Sequence, residues 1–219
     1  LPLAELLPQK HNHFALTINQ ALDLIHYPYP NKDPKKAFIL EKSTAFKRLC
    51  FEELVAYQLT LLSLKDKNDL HKSSVIPKRE LEIKAFIENL PFIPTNAQKK
   101  AYQEISEDLS KDKPMLRLLH GDVGSGKTLV ALLACLQTYY AKYQCVLLAP
   151  TELLASQHYN NLSNLLKALD CKIALLTSSI KGNQRKAILE GIKNGEIHII
   201  VGTHSLFQTD VIYHNLALA

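Results

Sequence analysis

With 219 residues and 47% hydrophobic side chains, the chain can fill one large or two small packed domains, and its apolar runs fall short of the ~20 residues that span a membrane. Its four cysteines, Cys50, Cys135, Cys145 and Cys171, form no C-x-x-C pair, which excludes a zinc ribbon or a disulfide framework and makes free thiols in a reducing cytoplasm the expectation. The formal charge of +5 suits a polyanionic partner, and the excess lies in residues 111–219 (11 Lys/Arg against 7 Asp/Glu) rather than in 1–110 (15 against 14).

No secretory leader is visible, and the first residue is Leu, so the expectation is a piece of a longer protein. Residues 1–14 mix Pro, His and Asn with leucines and read as a connector arriving from an upstream domain. Thr17 can cap a helix that carries Ile18, Ala21, Leu22 and Ile25 on one face. Tyr27-Pro28-Tyr29-Pro30 stops it, and Asp33-Pro34 has the form of an N-cap followed by Pro at the first helical position.

From Thr44 to Leu64 two neighbouring stripes, Phe46/Cys50/Leu54/Tyr57/Leu61/Leu64 and Phe51/Val55/Leu59/Leu62, predict a long helix with a wide apolar face. It serves either as a brace between domains or as an ordinary core helix. Residues 65–77 are polar and read as a loop, and a helix is predicted over 78–90. Pro91 and Pro94 then make a stiff extended step. The main boundary is expected within 75–92, dividing a helical linker region (1–90) from a nucleotide-binding domain (91–219).

Thr95-Asn96-Ala97-Gln98 opens the next helix, and Thr95-x-x-Gln98 fits a capping box. The Gln98 amide, both donor and acceptor, also suits the edge of an adenine. Spacing alone leaves these two readings open.

The stretch Gly121-Asp122-Val123-Gly124-Ser125-Gly126-Lys127-Thr128 fits G-x-x-x-x-G-K-[ST], a phosphate-binding loop. Glycines let the backbone turn its N–H groups onto phosphate oxygens, and the helix start that follows adds partial positive charge. Lys127 is expected to reach the β- and γ-phosphates of ATP, and Thr128 to offer its hydroxyl to Mg²⁺. The apolar run ending at Leu118-Leu119 is expected to be the buried strand ahead of the loop.

Downstream, strands are predicted over 145–149, 172–177 and 197–201, with helices over 152–169 and 183–193 between them. Alternating strands and helices predict an α/β fold with a mostly parallel sheet. Its loops at Gly121–Lys127, Pro150–Thr151 and Gly202–His204 should share the edge where such sheets bind ligands. Residues 216–219 begin another apolar strand. No acidic residue follows an apolar strand to hold Mg²⁺ and orient water, which predicts ATP binding with little or no hydrolysis by residues 1–219 alone.

GDVGSGKT, APTELLASQHY (Ala149–Tyr159), LLTSSIKGNQR (Leu175–Arg185) and GTHSLFQ (Gly202–Gln208) together resemble the first motor domain of superfamily 2 DNA helicases, and most closely its RecG family. LPFIPTNAQKKAYQEI (Leu90–Ile105) resembles that family's adenine-side motif, and KRLCFEELVAYQL (Lys47–Leu59) its link between DNA wedge and motor. The resemblance implies a RecA-like P-loop fold whose sheet is truncated at the C-terminus, lacking the acidic pair, the second motor and the wedge. It implies a parent that is monomeric and cytoplasmic, with no membrane partner. That parent is an ATP-dependent helicase unwinding branched DNA, forks and Holliday junctions, in recombination and repair.

By the same resemblance Thr151, Lys181, Arg185, Thr203 and His204 face DNA. Three residues depart from the family pattern: His120 for Gln, Ser178 for Gly and Ser205 for Ala. The alternatives are the related motor of a transcription–repair coupling translocase and a P-loop NTPase that does not act on nucleic acid. A sheet lacking an interior strand is expected to fold marginally or to associate.

Overall fold

The computed structural model describes residues 3–26, 44–69 and 71–219, so the Asp33-Pro34 helix start lies outside them. The chain divides into two compact units, Leu1–Asn68 and Asp69–Ala219.

The first unit carries α1 (Ile18–His26) and α2 (Thr44–Asp69). Thr17 and Gln20 close a capping box: the Thr17 N–H donates to Gln20 Oε1 (2.8 Å) and the Gln20 N–H to Thr17 Oγ1 (3.2 Å). The segment before α1 is tied down. Asn19 exchanges two hydrogen bonds with the backbone of Leu3, and Glu5 accepts from the Ile18 N–H (3.0 Å). Arg48 of α2 is fully buried, in a unit where Leu7, Ala21 and Ala45 are buried too, and it donates to Glu5 and to Glu52 one turn along its own helix. Leu54, Tyr57, Leu59, Leu61, Leu62 and Leu64 of α2 stay exposed.

The second unit is a parallel sheet in the order β2-β3-β1-β4, built from β1 (Gln144–Leu148), β2 (Ile173–Leu176), β3 (Ile199–Gly202) and β4 (Leu216–Leu218). Cys145 pairs with Ile199 and Leu148 with Gly202 on one side of β3, Ile173 with Ile199 and Leu176 with Gly202 on the other. Its helices are α3 (Glu80–Glu88), α4 (Asn96–Leu109), α5 (Lys127–Tyr140), α6 (Glu152–Leu166) and α7 (Gly182–Lys193).

Side chains alternate along a strand, and here the alternation divides the core. Ile199 and Val201 of β3 join Leu132, Leu133, Leu136, Leu162 and Leu166 in the larger cluster, while Ile200 joins Val146, Leu176, Ile192 and Leu206 in the smaller. Apolar residues on both faces are what a parallel sheet covered by helices requires.

The division at Asn68/Asp69 has a local cause. The Ser73 N–H donates to the Asp112 carbonyl (3.0 Å) and the Ile76 N–H to that of Leu109 (2.9 Å), while buried Gln137 of α5 donates to the Ile76 carbonyl (3.1 Å). Residues 73–76 are therefore stitched to the sheet unit, ahead of Pro91.

One expected strand is corrected. The run before the phosphate loop forms no strand, and Leu116 and Leu118 are 87% and 89% exposed. Apolar composition does not make a strand without a paired neighbour, and the edge strand β4 itself pairs with β1 only through Gln144 and Cys145 across an irregular register. Met115 and Leu119 alone of that run pack against the core.

At the opposite, amino-terminal end of the strands, buried Gln144 gathers four backbone groups. It donates to the carbonyls of Ile192 (2.9 Å) and Ile197 (2.7 Å), and it accepts from the N–H groups of His214 (2.8 Å) and Asn215 (3.2 Å). Among the described residues no helix is long and apolar enough to cross a membrane.

Candidate nucleotide and nucleic-acid site

The phosphate loop turns through two glycines in the left-handed region, Gly124 (φ 78°) and Gly126 (φ 80°). Gly126 caps α5, so Lys127 and Thr128 occupy its first turn. The Lys127 ammonium folds over the loop and donates to the carbonyls of Gly121 (2.8 Å) and Asp122 (2.7 Å). The Ser125 N–H returns to the Asp122 carbonyl (3.2 Å), and the Asp122 carboxylate accepts from the Val123 N–H (3.1 Å), fixing the turn. Val123 stands exposed at the tip.

Gln98 makes the capping box and a second contact as well. Its Oε1 accepts from the Thr95 N–H (2.8 Å), and Thr95 Oγ1 accepts from the Gln98 N–H (3.2 Å). Its Nε2 crosses to the phosphate loop and donates to the Ser125 carbonyl (2.9 Å). A Cβ on Gly126 would lie 2.2 Å from that Nε2. The φ of position 126 calls for glycine, and a side chain there would also push the Gln98 amide away from Ser125.

These residues fit a nucleoside triphosphate. A glycine turn brings backbone N–H groups to the start of a 14-residue helix, with one ammonium group and one hydroxyl within the first turn. Thr128 lies in that first turn, and among the described residues no cluster of three or more His, Cys, Asp or Glu could hold a metal by itself.

The loops after β1, β2 and β3 leave the carboxyl ends of neighbouring strands, as expected of a parallel sheet. Thr151 caps α6 by accepting from the Leu154 N–H (3.3 Å) and stays exposed. The next residue, Glu152, reaches to the loop after β2, where one carboxylate oxygen accepts from the Ser178 hydroxyl (2.5 Å) and the Ser179 N–H (3.2 Å). These bonds, the Ser178 hydroxyl foremost, hold the Glu152 carboxyl below its usual range.

Lys181 precedes α7 and is exposed. Arg185 is turned to its own protein, donating to Asp210 (2.9 Å) and Gln208 (2.7 Å). After β3, Thr203 is buried and His204 exposed. Gly202 admits no side chain, because a Cβ there would lie 2.2 Å from the Leu176 carbonyl oxygen of β2. The resemblance set Thr151, Lys181, Arg185, Thr203 and His204 at this edge, and sequence reasoning missed Glu152, Gln208 and the Asp210 partner of Arg185. A carboxylate in the first turn of a helix reads as an ordinary favourable charge, and nothing in the spacing signals a partner 26 residues away.

The DEAD/DEAH box helicase family matches residues 95–218, more than half of the chain. The chain belongs to that family. Within it, the chain is similar to the ATP-dependent DNA helicase RecG of Haemophilus influenzae, at 43% identity over 99% of this chain and 31% of the relative. It is similar to that of Aquifex aeolicus at 45% over 78% and 22%, and to that of Escherichia coli K12 at 39% over 99% and 31%.

A solved structure of RecG bound to a three-way DNA junction superposes with a TM-score of 0.79 at 37% identity, covering 98% of this chain and 29% of that one. The sheet with helices on both faces is thus the RecA-like α/β fold of a helicase motor, and the sequence resemblance to RecG holds along nearly the whole chain. The chain spans between about a fifth and a third of the length of the first RecG relatives it matches.

Proposed function

We propose that this chain is the nucleotide-gripping part of a RecG-type motor that uses ATP to move along and remodel branched DNA, forks and Holliday junctions, in recombination and repair. The observation that carries the reading is the loop at the start of α5, with Lys127 and Thr128 in the first turn and Gln98 against the Ser125 carbonyl. The residues 121–128 would hold the triphosphate, Thr128 the Mg²⁺, and the Gln98 amide the adenine edge. Hydrolysis of the bound nucleotide supplies the energy of movement.

Thr151, Lys181 and His204, exposed near the carboxyl ends of the strands, would meet DNA phosphates, since free donors and cations position a backbone without reading sequence. Thr203 would contribute through its backbone, its side chain being buried. Arg185 would join only by leaving Asp210. The parent is read as a monomer acting in the cytoplasm. Residues 1–219 by themselves bind Mg-ATP and turn it over negligibly, because no acidic pair follows an apolar strand.

The test is ATP turnover by the full-length protein with and without forked DNA. Fork-stimulated turnover that disappears in Lys127→Ala is expected, and turnover indifferent to DNA would move the chain to P-loop enzymes that do not act on nucleic acid. Steady turnover by residues 1–219, abolished by Lys127→Ala, would refute the inactivity of that piece.

A further inference from the structure

Glu152 directly follows Thr151 at the candidate DNA edge, and a bare carboxylate there would repel phosphates. It is not bare. One of its oxygens takes both the Ser178 hydroxyl (2.5 Å) and the Ser179 N–H (3.2 Å). The receiving loop is itself a closed turn: the Ile180 N–H donates to the Thr177 carbonyl (3.2 Å), and the Thr177 and Ser179 hydroxyls lie 2.8 Å apart. Because β3 lies between β1 and β2, the bond reaches across the lane of β3 and joins loops that no strand pairing connects.

On these contacts we propose that Glu152 is a positioning residue: its carboxylate latches the turn Thr177–Ile180 to the start of α6, so that the two loops meet a DNA backbone as one surface. This rests on the reading of the chain as a DNA motor. The latch fixes the direction of the exposed Thr151 cap relative to Ser178 and Lys181, and a phosphate track needs its donors in register. Its ordering cost is met within the protein, before DNA arrives.

Glu152→Ala and Glu152→Gln remove the same charge, but only Gln keeps an acceptor oxygen for Ser178 and Ser179. With the full-length protein and a fluorescein-labelled duplex at fixed salt, anisotropy titration is expected to give a Kd about five-fold weaker for Glu152→Ala than for Glu152→Gln. Adding Ser178→Ala to Glu152→Ala should weaken binding no further, the mark of a shared interaction. In hydrogen exchange without DNA, the Ser179 amide should exchange faster in Glu152→Ala than in the wild type.

Equal affinity of the Ala and Gln variants, whether or not both exceed the wild type, would overturn the latch and leave Glu152 as a repulsive charge. Faster exchange at Ser179 with unchanged DNA affinity would overturn it too, reducing the bond to local structure. A wild type that binds neither this duplex nor a forked DNA would instead overturn the DNA reading itself, and this role with it. Failure of the Ala–Gln contrast in a protein that does bind duplex would count against the latch alone.

Discussion

The two units are held together by opposite means. Among the described residues of Leu1–Asn68 the largest fully buried side chain is charged: Arg48, paired with Glu5 and Glu52. In Asp69–Ala219 the deepest side chains are aliphatic, and Leu132, Leu133, Leu136, Ile199 and Val201 pack between sheet and helices. A buried ion pair recovers little more than its desolvation cost, yet losing one partner is severe. Aliphatic burial stabilises in proportion to area. The first unit therefore depends on one residue and the second on many.

The largest expected effect belongs to the aliphatic unit. Leu133→Ala should remove about 3–4 kcal/mol from the sheet unit, the range for a fully buried leucine. Denaturant unfolding followed by hydrogen exchange should show the loss in residues 71–219 and not in 3–26. Equal loss in both would break the contrast and make the chain one cooperative body.

Arg48→Ala should do the converse. It should remove about 3 kcal/mol from the first unit alone by leaving two carboxylates without their cation, with faster exchange in the first turns of α2 as the readout. Gln144→Leu sharpens the comparison by asking whether a polar clamp matters inside the aliphatic unit. Taking the Gln144 amide from four backbone groups, of which the Ile192 carbonyl keeps the Gly195 N–H and the His214 and Asn215 N–H groups lie near solvent, should cost on the order of 2 kcal/mol, with the amides of His214 and Asn215 losing protection.

The smallest effect is alkaline. Burial pushes the Cys171 thiol up to about 12, so the folded state keeps a proton that the unfolded state begins to lose near pH 9. Its contribution is complete below pH 9 and shrinks as pH rises towards 12, about 1 kcal/mol being lost by pH 10. Tyr102, also pushed up to about 12 by burial, and buried Cys145, pushed well up, act in the same direction. The loss should be confined to residues 71–219 and be shallower in Cys171→Ala. A slope unchanged by that substitution would remove Cys171 from the account.

What was legible in the sequence was local. The strands at 144–148 and 199–202 announce themselves as apolar runs, and Thr95-x-x-Gln98 announces a capping box that the fold contains. The Gln98 bond to Ser125 spans 27 positions, and only folding brings those two together. The Glu5–Arg48 pair spans 43, and nothing in the leucine-rich N-terminal stretch marks Glu5 as the partner of a buried guanidinium. The run before the phosphate loop misled for the opposite reason. Its composition suits a strand, but a strand exists only through its neighbour's hydrogen bonds, and Leu116 and Leu118 stand in solvent.

Gly202 bears on anyone redesigning this surface. The methyl of even an alanine there would wedge against the Leu176 carbonyl and prise two paired strands apart. A library meant to retune grip can vary the exposed His204, Lys181 and Thr151, but one hydrogen atom at position 202 has to be inherited unchanged.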